Sequence, residues 1–180
     1  MTETIYSMIK KAALFGLAIA TIYVLWLVAI VIFEISKIQV PLLPLVINTL
    51  IIAVPLFAGL MYIRKTAYDN SINFAQSFYT GIAISVCAAI AVYIILALLE
   101  TAGLLIPNLI ADYKNSTQAY LNDPKLTRQE LKDIQESYKN ITEPYLFSKL
   151  NFVQVLLISA FSSTILSLFV RNKDTFTEIK

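Results

Sequence analysis

The sequence predicts an all-α fold: an integral membrane four-helix bundle carrying an extramembrane amphipathic helix between its third and fourth spans. Three observations predict it. Hydrophobic residues make up 58% of the chain and charged residues only 14%, whereas charge near a quarter is usual in soluble domains. Four apolar runs, about residues 12–33, 42–63, 74–106 and 150–170, are each long enough to cross a hydrocarbon core of about 30 Å, which takes roughly 20 helical residues. No run alternates polar and apolar residues as a membrane barrel strand does, and in lipid a helix satisfies every backbone polar group within its own segment. At 180 residues the chain reads as one membrane domain.

The first run follows Lys10 and Lys11. These lysines, a short apolar stretch and Ala18-Ile19-Ala20 imitate a cleavable leader. The apolar run continues through Trp26 to Phe33, so it reads as an uncleaved signal anchor. The second run starts after Pro41 and holds Asn48 and Pro55. Pro55 lacks a backbone donor near mid-span, which predicts a kink and a carbonyl one turn earlier that needs another partner. Ordinary interhelical packing accounts for Asn48 and Pro55, and a gate or binding notch is the functional alternative.

The polar connection 64–73 is brief, so the second and third spans form an antiparallel hairpin. Lys10, Lys11, Arg64, Lys65, Arg171 and Lys173 fall on one side of the membrane, against Lys37 alone on the opposite short loop. The positive-inside rule then places both termini and the 64–73 loop in the cytoplasm.

The third run, about 33 residues long, corresponds to roughly 50 Å of helix, so it protrudes from the bilayer. This bears on Glu100, the only acid inside a span. A carboxylate in lipid is a functional candidate by default, yet Glu100 lies about 39 Å along the axis from Phe74, at or beyond the outer boundary. An interfacial Glu is the preferred reading, with a proton or ion site as the alternative.

Residues 108–149 form the only stretch with soluble character. Asp123-Pro124 supplies an N-cap and a first-turn proline, and Thr127 with Glu130 makes a capping box. Leu131, Ile134, Tyr138, Ile141 and Tyr145 then recur at three- and four-residue spacing. That stripe predicts an amphipathic helix ending before Pro144, able to lie on the membrane, pack on the third span or bind a partner.

In the fourth run Ser159, Ser163 and Ser167 repeat every four residues, as do Gly81, Ser85 and Ala89 in the third and Ala12, Gly16 and Ala20 in the first. Small residues so spaced let helix backbones approach closely. Tight packing is therefore preferred over a polar path lined by hydroxyls. Gly16-Leu17-Ala18-Ile19-Ala20 also resembles Gly81-Ile82-Ala83-Ile84-Ser85, which would fit a duplicated hairpin or a coincidence of a small apolar alphabet.

Chemistry is sparse. The chain has no His, the commonest metal ligand; its one Cys (Cys87) lies inside a span and allows no intramolecular disulfide; and its four Gly are scattered, so no Gly-rich phosphate loop forms. The net charge of +2, without a basic aromatic cluster, gives no reason to expect a nucleic-acid partner. No cofactor, metal or catalytic residue is expected.

Tyr62-Ile63-Arg64-Lys65, the polar turn, Asn73-Phe74-Ala75-Gln76-Ser77-Phe78 and Gly81 resemble a family of small four-span bacterial membrane proteins catalogued as a domain of unknown function. So do Ile106-Pro107-Asn108-Leu109, the charged helix opening at Thr127-x-x-Glu130, and the basic end Arg171-Asn172-Lys173. Family members often carry a glycine just before the third-span aromatic, where Ser71, Ile72 and Asn73 stand here. The resemblance implies an inner-membrane location and supplies no catalytic residues. The function expected is a non-enzymatic accessory or scaffold subunit, touching membrane lipid and either further copies of itself or another membrane protein. A small transporter or channel using Asn48, Pro55, Glu100, Ser159, Ser163 and Ser167 is the alternative.

Overall fold

The computed structural model describes residues 2–32, 43–104, 127, 129, 132 and 145–171. Among them there is no strand; four long helices account for the fold: α1 (Thr2–Ile32), α2 (Leu43–Ala67), α3 (Phe74–Thr101) and α4 (Leu146–Val170). All four are long and apolar enough to cross a membrane. Only 28% to 33% of each spanning window is buried inside the protein, so most of each apolar surface faces outward. Leu14, Leu25, Leu50, Leu98, Phe161 and Phe169 are among these exposed side chains. An outward face of this kind suits lipid and not water.

The local signals that start and stop the helices are explicit. Asn73 caps α3 from the extended region, its Oδ1 accepting the Gln76 N–H at 2.8 Å while Gln76 Oε1 accepts the Asn73 N–H at 3.0 Å. This capping box satisfies two otherwise orphaned donors. Asp69 and Asn70 take left-handed backbone angles in the turn before it, a conformation that short polar side chains tolerate. At its other end α3 stops at Thr101, five residues before the apolar run does. Gly103 adopts φ +67°, its N–H bonds the Glu100 carbonyl, and the Leu104 N–H bonds the Leu99 carbonyl. Those two bonds make a Schellman stop. Helix α2 runs on through Pro55.

Around the bundle the order is α1, α2, α4, α3. The α3–α4 pair is packed most extensively, α1–α3 next, and α2 closes the ring against α1 and α4. The hairpins α1–α2 and α3–α4 are each antiparallel; across the two hairpins α1 runs parallel to α3, and α2 to α4. Tyr23 and Ile19 of α1, Ile52 and Leu56 of α2, Ile84 and Val92 of α3 and Val155 of α4 are fully buried at the centre. The two similar glycine segments meet different neighbours: Gly16 lies against Cys87 and Ala88 of α3, and Gly81 against Ser163 of α4. Of the expected amphipathic stripe, Leu131, Ile134, Tyr138 and Ile141 lie outside the described residues. Tyr145 is exposed and caps α4 with φ +62°.

Candidate functional site

Polar side chains gather where α3 ends and α4 begins. Glu100, on the last turn of α3, accepts the Ser148 backbone N–H through Oε1 at 3.1 Å. Ser148 is the third residue of α4, so its N–H is one of the donors that no helical carbonyl can reach. The carboxylate also faces the positive end of the α4 dipole. Its other oxygen, Oε2, and the Ser148 hydroxyl are both buried with no partner among the described residues.

One turn further into α4, Asn151 accepts the Tyr23 hydroxyl at 2.8 Å and donates to the Phe147 carbonyl at 2.9 Å. Tyr23 is fully buried, and its ring crosses the core so that α1 touches α4. Three residues later on α1, Trp26 donates to Asn48 Oδ1 of α2 at 2.9 Å. All four helices thus contribute polar groups at this end. The groups close into pairs: Glu100 with the start of α4, Tyr23 with Asn151, Trp26 with Asn48.

The serines of α4 lie elsewhere, along the seam with α3. Ser159, Ser163 and Ser167 are fully buried, facing a row on α3 that includes Ser77, Gly81 and Ser85. A Cβ at Gly81 would clash with Ser163 Oγ and stand 2.9 Å from its Cβ. The helices approach this closely only because residue 81 has no side chain. The hydroxyls turn back onto their own helices: Ser159 donates to the Val155 carbonyl at 2.6 Å and Ser85 to that of Gly81 at 2.8 Å. Ser163 reaches across to the Phe78 carbonyl at 3.4 Å. Among the described residues, Ser77 and Ser167 Oγ are buried without a partner. Half-buried Pro55 lies on α2, on neither cluster. The structure therefore places Asn48 and Glu100 at one end of the bundle, the three serines along the α3–α4 seam and Pro55 on α2 apart from both.

The opposite end holds contacts that spacing alone did not reveal. Arg64 donates through Nε to the Asn70 carbonyl at 3.1 Å and through Nη1 to the Val170 carbonyl at 2.9 Å, tying the α2–α3 turn to the end of α4. Lys11 donates to Thr66 Oγ1 at 2.9 Å and lies 5.9 Å from the centroid of the Tyr62 ring. Between α1 and α3 a groove of about 390 Å³ opens, walled by Ile9, Ala12, Tyr79 and Ala83 and bounded by Tyr68, Asn73 and Gln76. Of its small lining residues only Ala12 was legible as a packing position; Ala75 and Ala83 lie outside the four-residue repeats, and the space between the helices was not legible at all. Among the described residues no group of three or more His, Cys, Asp or Glu could hold a metal ion.

Residues 14–172 match the model of a family described as "Protein of unknown function (DUF4199)". No curated protein and no solved structure matches the chain.

Proposed function

The chain belongs to this family of unknown function, and on that premise we propose that it is a non-enzymatic accessory or scaffold subunit of a bacterial inner membrane. Its four apolar helices fit an integral, multi-pass membrane protein. The observation that carries the scaffold reading is the fit of Gly81 against Ser163. A pathway for solutes needs polar groups around a shared wet lumen, whereas the seam that holds the most hydroxyls is closed by direct contact. Asn48, meanwhile, is occupied by Trp26.

Both termini and the 68–73 turn face the cytoplasm in this reading. Support comes from Lys10, Lys11, Arg64, Lys65 and Arg171, which cluster at one end of the bundle, joined there by the Lys11–Thr66 and Arg64–Val170 bonds. The outward apolar faces meet lipid, further copies or a larger membrane protein.

Two measurements test the proposal together. In a Cys87→Ala background, Ser159→Cys and Ser163→Cys are expected to resist a membrane-impermeant thiol reagent, and cross-linking in native membranes is expected to yield a discrete larger species. Ready labelling of both positions, with solute flux into proteoliposomes, would replace the scaffold by a transporter.

A further inference from the structure

The groove between α1 and α3 combines three properties that together identify an occupant. First, its α1 lining, Met8 to Ala12, and its α3 lining, Ala75 to Ala83, fall inside the spanning windows Tyr6–Ile30 and Phe74–Thr101, at the end where both helices enter the membrane. Its wall is cut from small side chains: Ala12, Ala75 and Ala83 leave a slot where larger residues would have filled the seam. Ile9 and Tyr79, 59% and 69% exposed, flank it as an open edge. A slot of this kind, at this depth, faces hydrocarbon chains.

Second, the slot ends in hydrogen-bond donors at the level of lipid head groups. The capping box engages Asn73 Oδ1 and Gln76 Oε1. This leaves the NH2 groups of both amides, together with the Tyr79 hydroxyl, to meet an acceptor. Thr80 and Tyr68 donate elsewhere, to the Gln76 carbonyl at 2.7 Å and to Met8 Sδ at 3.2 Å.

Third, this end of the bundle is positive. Lys10 and Lys11 follow Ile9 on α1, and Arg64, Lys65 and Arg171 share the same end, with Asp69 in the turn between them. Cations within about a Debye length, roughly 8–10 Å, of a membrane surface enrich anionic lipid beside them.

The geometry points to a binding site for one anionic phospholipid, an acyl chain lying in the α1–α3 groove and the phosphate oxygens meeting the amides of Asn73 and Gln76. The site does not depend on whether the bundle acts as a scaffold. It requires only that the helices cross a bilayer.

The test is native mass spectrometry of the full chain exchanged into equal amounts of phosphatidylglycerol and phosphatidylcholine of matched chains. The wild type is expected to retain one phosphatidylglycerol, at least fivefold over phosphatidylcholine. Ala83→Leu fills the slot from an exposed position and is expected to reduce that adduct at least fivefold. Gln76→Glu keeps an acceptor for the Asn73 N–H, so the capping box survives, but it sets a carboxylate where the phosphate would lie. It is expected to abolish the preference with α-helical content and unfolding temperature unchanged. Ala75→Leu replaces Ala83→Leu if the latter misfolds. Equal retention of the two lipids by the wild type, or an undiminished adduct in the slot-filling variant, would overturn the site.

Discussion

Glu100 Oε1 accepts the backbone N–H of Ser148 at 3.1 Å, so the last turn of α3 caps the first turn of α4. The far end of α4 is held in the opposite sense, where Arg64 of α2 donates to the Val170 carbonyl at 2.9 Å. A negative group sits at the positive end of one helix dipole and a positive group at its negative end. Helix α4 is thereby registered against both of its neighbours in the bundle. The acid inside the apolar run thus caps a neighbouring helix through one of its two oxygens.

Removing that cap should be measurable. Glu100→Ala is expected to lower stability by about 1–2 kcal/mol, the usual cost of losing a helix cap plus its charge–dipole term. Glu100→Gln retains an acceptor and should cost less than half as much. Thermal unfolding in detergent, followed by circular dichroism, checks both. Equal losses for the two variants would mean that the charge, and not the hydrogen bond, provides the effect.

The closest helix contacts should tolerate nothing larger than glycine. Gly81→Ala pushes against the Ser163 side chain, and Gly16→Ala meets Cys87 Cβ at 2.6 Å and the Ala88 backbone nitrogen at 2.8 Å. Overpacking of this kind typically costs about 1–3 kcal/mol. Gly16→Ala is expected at the upper end, because backbone cannot rotate aside. Ser163→Gly should rescue Gly81→Ala in a double-mutant cycle and leave Gly16→Ala unchanged. Additive effects of the first pair would show that these two residues are not in contact.

Tyr23 should be the most sensitive core position. Tyr23→Phe leaves Asn151 Oδ1 without its donor, and hydrogen bonds between membrane helices average about 0.6 kcal/mol with a maximum near 1.7. Tyr23→Ala also empties the centre of the bundle and should cost about 3–5 kcal/mol. Asn151→Leu combined with Tyr23→Phe replaces a polar pair by an apolar one and is expected to recover part of the single-variant loss. Unfolding in mild detergent distinguishes the three.

The four spans were legible because hydropathy is carried by each segment alone, and no tertiary contact can reverse a run of about 20 apolar residues in lipid. The end of α3 was less so. Leu104-Leu105-Ile106 continues the apolar run, yet Gly103 takes the left-handed angle that stops the helix, a signal present in the sequence but masked by hydropathy. The Asn73–Gln76 capping box was likewise written in the three-residue spacing. By contrast, Tyr23 and Asn151 are 128 residues apart, and their pairing follows only from the order of helices around the bundle. The same holds for Gly16 and Gly81, recognisable as close-packing positions although their partner helices were not. Axial distance placed Glu100 near the end of its span but could not supply Ser148, which lies 48 residues on.

The threading of the chain can be checked with two single cysteines. Asp69, in the turn before α3, and Thr101, its last residue, are both exposed, and the 28 residues of the helix span roughly 42 Å. Cys87→Ala removes the native thiol and keeps the Cβ that Gly16 packs against. In that background Asp69→Cys is expected to react with an impermeant maleimide only after the membrane is opened, whereas Thr101→Cys should react in intact cells. The direction follows from the cations around position 69: Lys10, Lys11, Arg64, Lys65 and Arg171 lie at that end, and short basic loops resist translocation. The reverse labelling pattern would invert the chain and move the basic end, with the groove, to the outer leaflet. Labelling of both positions in intact cells would mean that α3 does not cross the bilayer at all.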